Sequence, residues 1–324
     1  MKRVVLFQWS LLLPFLLAPV AEAQVDLVAT ASDHVAISIN GQPFSTFYVG
    51  TAYAKPFLAP LRSADGRLVT RRFPMEQIEG ESRDHPHHKG LFIGYGDVNR
   101  VNFWETEAES KPSPENPQAK GTVHLVRLGE IKSGKKMGTV AAEFAWNGPG
   151  NAPVLLEKRV LTFYADDKLR RLDVDTTLTA QTDVQFGDTK EGFFAIRLAD
   201  SLTGKNGGVM TNSEGEHTEK DVWGKRADWV DYVGTVDGQQ VGILILDNPA
   251  NPHHPPRWHA RDYGLFAVNP FGVKEFDSKA QQRGGLHLAK GQSAQFRYRV
   301  IIHQGDSSKK DIVRWYSDYA KNNK

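Results

Sequence analysis

The chain has 324 residues, a net charge of +2 and no cysteine. Near-neutral charge excludes a general nucleic-acid binder, which would carry a basic surplus. The lack of cysteine excludes disulfide stapling, thiolate zinc sites, a cysteine nucleophile and a lipidated cysteine anchor, so the fold must draw its stability from a large apolar core.

At the start, Lys2 and Arg3 precede a largely apolar run, Val4 to Val20, and Ala21-Glu22-Ala23 fits a small-x-small cleavage pattern. Residues 1–23 therefore read as an export signal peptide, and the expected location is periplasmic or secreted. No later stretch approaches the ~20 apolar residues needed to cross a bilayer, so stable membrane insertion is not expected. Residues 24–324 are long enough for one large β-sandwich domain.

Strand patterns dominate from there. His34 to Ile39 alternates, turns at Asn40-Gly41 and resumes over Pro43 to Val49, the pattern of a hairpin. Asp65-Gly66 marks a turn between Phe57 to Leu61 and Leu68 to Arg71. The segment Glu107 to Lys120, rich in Pro, Ser, Glu and Lys, reads as a surface loop. Long strands are expected over Thr122 to Ile131, Thr139 to Trp146, Val154 to Tyr164 and Leu169 to Thr179. Shorter ones follow at Phe193 to Leu198, Val230 to Val236, Val241 to Leu246, Leu265 to Val268 and Gln295 to Ile302. Strict alternation, as in Leu172-Asp173-Val174-Asp175, implies strands with one buried and one wet face, as in antiparallel sheets. One helix is expected near the C-terminus, where Ile312, Val313, Tyr316 and Tyr319 recur at helical spacing after the capping candidates Asp306, Ser307 and Ser308. The fold class is all-β: a large antiparallel sandwich of two packed sheets with one C-terminal helix.

Six of the 11 histidines fall in two segments, Arg83-Asp84-His85-Pro86-His87-His88-Lys89-Gly90 and Asn251-Pro252-His253-His254-Pro255-Pro256-Arg257-Trp258-His259-Ala260-Arg261-Asp262. Their prolines and charges read as rigid loops rather than strands, and loops of this chemistry are where ligands are handled. The two are expected to converge on one site. On an extended segment His85 and His87 would share a face while His88 points away, and His259 with Arg261 would face opposite to Trp258 with Ala260.

Three further segments carry chemistry. Gly187-Asp188-Thr189-Lys190-Glu191-Gly192 brackets two carboxylates with glycines, and Asp188 with Glu191 would suit general acid–base work. The stretch from Asn212 to Tyr232 offers Trp223 and Arg226 as an aromatic face and a hydrogen-bonding cation for a sugar. Trp258-His259-Ala260-Arg261-Asp262-Tyr263-Gly264, with the turn at Asn269-Pro270-Phe271-Gly272, adds more of both kinds. The chain has no phosphate loop, dinucleotide fingerprint, HExxH or G-x-S-x-G elbow.

These motifs, together with Pro60-Leu61-Arg62-Ser63-Ala64-Asp65-Gly66 and Asn102-Phe103-Trp104, occur in an order that resembles the bacterial secreted "PmoA-like" family. The resemblance covers nearly all of residues 24–324. The associated methane oxygenase label does not suit this chain, since a membrane oxygenase subunit is a bundle of transmembrane helices and this sequence is built of strands. What the resemblance implies is a fold similar to the galactose-mutarotase-like supersandwich. Enzymes of that fold bind sugars on a sheet face and use histidines and carboxylates for proton transfer.

Three readings follow. The leading one is a carbohydrate-active enzyme, a glycoside hydrolase or lyase, with Asp188, Glu191, His88 and His259 catalytic. In it His85, His87, Trp223, Arg226, Trp258, Arg261, Asp262 and Asn269 hold a small-molecule or oligosaccharide ligand. The second is a metal-dependent enzyme in which His85, His87 and one of His253, His254 or His259, with Asp84, bind a divalent metal. The third is a non-catalytic sugar-binding module. Nothing in the sequence specifies the oligomeric state.

Overall fold

The computed structural model describes residues 24–31, 33–106, 119–305 and 307–322. The signal-like segment 1–23, most of the loop expected at 107–120 and the capping candidate Asp306 lie outside the described residues. The chain runs through β1 (Val25–Ala31), β2 (His34–Ile39), β3 (Gln42–Tyr48), β4 (Phe57–Ala59), β5 (Leu91–Tyr95), β6 (Val101–Asn102), β7 (Ala119–Lys120) and β8 (Thr122–Lys132). It continues through β9 (Met137–Asn147), β10 (Pro153–Tyr164), β11 (Arg170–Ala180), β12 (Val184–Phe186), β13 (Gly192–Arg197), β14 (Val209–Asn212) and a short helix α1 (Thr218–Val222). The last elements are β15 (Trp229–Val236), β16 (Gln239–Asp247), β17 (Arg257–Ala260), β18 (Leu265–Asn269), β19 (Leu286–Leu288), β20 (Ser293–Gln304) and α2 (Lys309–Asn322).

Two eight-stranded sheets carry the fold. The first has the order β1-β2-β3-β4-β5-β13-β18-β17, the second β14-β15-β16-β20-β11-β10-β9-β8, and every pairing within them is antiparallel. The two pack face to face over an aromatic core. Phe47 of β3 meets Phe144 of β9, and Phe193 of β13 meets Phe296 of β20. Truncating a buried aromatic in such a core costs about 3–5 kcal/mol. The fold class expected from the sequence, a large antiparallel sandwich with one C-terminal helix, is the one observed.

The outer faces of the sheets differ, and the difference positions the site. On β10 and β11 burial alternates residue by residue, because their outer face is polar and wet. Strands β5, β13 and β18 are buried on both faces. Their outer side carries a second apolar cluster of Phe57, Phe92, Trp104, Ala195, Leu265 and Ala267. The second sheet is covered in part by α2, whose Ile312 and Tyr319 pack on Trp229, Leu244, Leu246 and Ile301. Ser308 caps this helix through Asp311, whose Oδ2 accepts from the Ser308 hydroxyl at 2.7 Å. Among the described residues no helix is long and apolar enough to cross a membrane.

Several expectations are corrected. Leu68 to Arg71 forms no strand and makes only the isolated bridges Arg62–Leu68 and Thr70–Leu198. Residues 257–260, read as loop, form the edge strand β17, because the prolines end at Pro256 and the backbone is then free to pair with β18. Val313 is half exposed, and Trp315 takes its place on the packed side of α2. Strands β1, β5, β6, β7, β12, β14 and β19 and the short helix α1 were not anticipated.

Candidate functional site

The outer face of the first sheet gathers the chemistry. A cross-strand row runs Phe57–Phe92–Ala195–Ala267–His259, the closing imidazole coming from β17. The two alanines are fully buried with Phe92, Trp104 and Leu265, and loops supply the polar groups around them. Alternation along β17 sends Trp258 and Ala260 inward to the core and His259 outward, as the sequence pattern requires.

The first histidine segment enters this face as a turn rather than an extended strand. His88 N–H donates to the His85 carbonyl at 3.0 Å, and His85 has φ +43°, a left-handed conformation that an ordinary residue pays for. The turn brings all three rings together, so His88 does not point away as expected: His85 and His88 are parallel with centroids 4.9 Å apart, and His87 meets both edge-on, at 5.7 Å from His85 and 4.3 Å from His88. His85 also stacks on Tyr263 at 5.1 Å, and His88 stacks on Phe92 and meets the edge of Trp104. His87 and His88 are buried, and burial first, then neighbouring cations and imidazoles, pushes both well below the ordinary histidine range. His88 is therefore a neutral ring packed against His85 and Phe92. Its partner His85 keeps 41% of its side chain exposed.

Beneath this turn, Asp84 Oδ1 accepts from Arg71 Nη1 at 2.5 Å and from Arg197 Nη2 at 2.6 Å. Both arginine side chains are fully buried. Burial raises the Asp84 carboxyl, but Arg197, His85 and Arg71 outweigh it and hold it below the usual range. Burial and the neighbouring Arg71 bring the Arg197 guanidinium down to about 10. Arg197 lies under the Tyr263 ring at 4.9 Å.

The second half of the site is built around Glu191. Lys190 Nζ stands 3.0 Å from Glu191 Oε1 and 3.6 Å from Glu275 Oε2; burial lowers the ammonium, but the two carboxylates outweigh it and raise it. Gly96 allows Glu191 to sit this close to β5, since a Cβ there would lie 2.8 Å from the Glu191 Cβ. The Lys190 carbonyl accepts from His259 Nδ1 at 2.8 Å, so the ring is the Nδ1–H tautomer with Nε2 as its acceptor. Burial lowers the His259 pKa, with Arg261 and Lys190 adding to it against the opposing pull of Glu191, so the ring is neutral at pH 7. Trp223 and Phe276 flank that imidazole edge-on. Gly224 makes their packing possible: it has φ +71°, and a Cβ would meet the Phe276 Cβ at 2.9 Å. Arg261 lies over Trp223 and Tyr263, with Nε 2.8 Å from Glu219 Oε1.

A further carboxylate, Glu105, belongs here and was not anticipated. Asn102 Oδ1 accepts from the N–H groups of Trp104 and Glu105 and fixes the turn that carries it. Burial first, then the charge of Glu191, raises its pKa, with Lys120, His85 and Lys190 pulling the other way. Its sequence signal was weak, a single Glu after Asn102-Phe103-Trp104. Tyr263 and Arg197 were also missed, because their roles arise from ring and ion contacts between distant segments.

Other expected site residues are placed elsewhere. Asp188 accepts from the backbone N–H groups of Val273, Lys274 and Gly284 at 2.7–3.1 Å. Burial raises its pKa, but these bonds outweigh it and lower it, so its carboxylate serves to hold the 273–284 loop. Trp258 is buried between the sheets and donates Nε1–H to the Ala227 carbonyl, so it cannot be a sugar platform. Asn269 is fully buried, with Nδ2 on the Thr189 carbonyl and Oδ1 on the N–H groups of Phe271 and Gly272. Arg226 donates to the His253 and Pro255 carbonyls, and exposed Asp262 gives its N–H to Glu219. His254 is tied to Asp247 at 2.6 Å and Asp228 at 3.3 Å, and His253 packs edge-on against Phe271. Thus only the tail of the second histidine segment, from His259 to Tyr263, joins the first.

Among the described residues no group of three His, Asp or Glu side chains has the geometry to hold a metal ion. Of the imidazoles expected to hold one, His85 and His87 meet edge-on at 5.7 Å, but His253 packs on Phe271, His254 is tied to Asp247 and Asp228, and His259 Nδ1 is held by the Lys190 carbonyl. Clefts lie elsewhere too, among them one of about 460 Å³ among Arg62, Arg67, Arg72, Glu81 and Asp200 and one of about 450 Å³ among Tyr164, Asp173, Arg297 and Tyr319. Their charged groups are already engaged: Arg67 pairs with Asp65, Glu81 accepts the N–H groups of Arg72 and Phe73, and Asp173 accepts from Arg299 and Tyr164. Neither brings imidazoles and carboxylates together.

Residues 34–316 match the model of a family described as "Family of unknown function (DUF6807)". The chain belongs to this family. No curated protein matches the sequence of this family member. Among solved structures it is similar to an alpha-galactosidase from Lactobacillus brevis, at 11% identity and a TM-score of 0.44 over 87% of this chain and 39% of that one. A galactose mutarotase-like protein from Clostridium acetobutylicum shows 9% identity and a TM-score of 0.41 over 86% and 98% of the two chains. A galactose 1-epimerase from Lactobacillus acidophilus shows 9% identity and a TM-score of 0.40 over 87% and 99%. At these values none of the three carries chemistry over to this member of the family.

Proposed function

We propose that this protein is an exported carbohydrate-active enzyme that cleaves a glycosidic bond by acid–base chemistry on the outer face of its first sheet. The observation that supports the reading is a neutral His259 held by the Lys190 carbonyl beside the Trp223 ring, with Glu191 paired to Lys190 and its charge acting on both His259 and Glu105. Two carboxylates whose environments differ divide the labour: Glu105, raised by burial and by the charge of Glu191, is the one suited to give a proton to a leaving oxygen. Glu191, beside the Lys190 ammonium, is the anion that takes a proton from water in hydrolysis or from the sugar ring in elimination. Trp223, which is partly open, offers a flat face for sugar C–H groups, and the half-buried Tyr48 and Tyr53 extend the aromatic surface along the same sheet. Export is supported by the basic start, apolar run and cleavage pattern within residues 1–23.

The test is incubation of the protein with a panel of oligosaccharides, read by mass spectrometry, which separates hydrolysis from elimination by the presence or absence of an added water. Glu191→Gln and Glu105→Gln should each lower kcat by about 100-fold or more, the range for loss of a general acid or base. Turnover intact in both variants would end this assignment. Binding of a sugar that is never cleaved would leave a binding module instead.

A further inference from the structure

The turn that carries His85 is built to aim one ring. Four constraints act on it: a left-handed backbone at φ +43°, the Arg71 Nη2 donation to the His85 carbonyl at 3.0 Å, and parallel rings on both faces from His88 and Tyr263. Two buried arginines meanwhile clamp the neighbouring Asp84, whose Oδ2 stands 3.4 Å from His85 Nδ1. Nothing in the packing of the sheet calls for this, since His85 is the one imidazole of the stack that reaches solvent. A left-handed, non-glycine residue held in place from several sides is where strain commonly serves a site.

We propose that Asp84, fixed by Arg71 and Arg197, is a positioning residue that holds His85 as the Nδ1–H tautomer, so that His85 Nε2 exchanges a proton with a hydroxyl or glycosidic oxygen of the bound carbohydrate. Asp84 Oδ1 is occupied by the arginines, which leaves Oδ2 to accept from His85 Nδ1. Among the described residues nothing hydrogen-bonds His85 Nε2. The 3.4 Å separation suits a contact that tightens when ligand binds. In each cycle Nε2 accepts one proton and returns it, so the ring is unchanged overall. The nature of the oxygen it serves rests on the carbohydrate reading; the tautomer does not.

The first measurement is therefore independent of substrate. Long-range ¹H–¹⁵N spectra of the imidazoles, with His85 assigned by its loss in His85→Gln, report which nitrogen carries the proton. The expected result is an Nδ1-protonated His85 in the wild type and a return to the Nε2-protonated form, preferred by free imidazole, in Asp84→Asn. A wild-type His85 protonated on Nε2 overturns the proposal whether or not Asp84→Asn folds. An unchanged tautomer in folded Asp84→Asn, checked by an unmoved His259 signal, overturns the role of Asp84. With a cleaved substrate in hand, His85→Gln should lower kcat about 100-fold with KM within about threefold. Unchanged kcat would overturn the proton-transfer role. The Nδ1 tautomer together with no turnover of any sugar would sink the carbohydrate reading and leave the positioning device standing.

Discussion

At the residue scale, the two tryptophans that the sequence offered as sugar platforms are set apart by burial. Trp258 is sealed between the sheets, whereas Trp223 lies partly open beside His259. Trp258→Ala should therefore destabilise the protein by about 3–5 kcal/mol, a cavity cost, while Trp223→Ala should weaken sugar binding with a much smaller loss. Urea midpoints and sugar titrations on both variants separate the effects, and equal loss of stability would contradict the placement. Asp188 is a similar case. Its three backbone donors make Asp188→Asn a stability variant, expected to cost about 1.5–3 kcal/mol with kcat unchanged, since hydrogen bonds to a charged group are worth that much. The sequence showed two carboxylates between glycines; only the loop that closes on Asp188 from residues 273–284, far along the chain, reveals that one of them is structural.

At the scale of the element, the second histidine segment divides into a lock and a blade. Its blade, β17, delivers His259 to the site. Its lock is His254, bonded to Asp247 and Asp228 and 3.5 Å from the Tyr316 hydroxyl of α2. Burial lowers the His254 pKa, but the hydrogen bonds and charges of Asp228 and Asp247 outweigh it and raise it to about 9, while burial holds Asp247 at about 6 despite the His254 bond. Both partners of one ion pair are thus raised; the ring, which has two carboxylates against one imidazolium, is the firmer of the two directions. A raised histidine adds stability that is fully present below its unfolded value of about 6.5 and is lost as pH rises through about 9. Urea midpoints should accordingly show a wild-type advantage over His254→Gln at pH 6 that shrinks by pH 9.5. An advantage that grows with pH would show that the lock works through the neutral ring. Elements of this kind were partly legible. The alternation of β10 and β11, the Asn40-Gly41 hairpin and the helix α2 follow from period and turn chemistry. Strands β13 and β18, buried on both sides, were read from their apolar runs without a period, whereas β5 was missed, and the turn at His85 depends on Arg71 and Arg197, which no local pattern announces.

For the whole molecule, one aromatic core between two eight-stranded sheets carries the stability that cysteines do not supply. The outer side of its first sheet carries a second apolar cluster around Phe92 and Trp104, and the loops that pack on it bring the imidazoles and carboxylates of the candidate site together. The residue types of the site were visible in the sequence, and Glu191, His259, His85, Trp223 and Arg261 do meet there. Their grouping was not visible, because it depends on strands β5, β13, β18 and β17 lying side by side out of chain order. The measurement that tests the account most directly is a map of amide and indole chemical-shift changes on adding a sugar found by the oligosaccharide panel to catalytically silenced Glu191→Gln. The account predicts changes at Glu105, Trp223, His259 and Tyr263, with the wild type cleaving the same sugar. Changes confined to the Tyr164–Asp173–Arg297 face or to the Arg62–Asp200 cleft would contradict it.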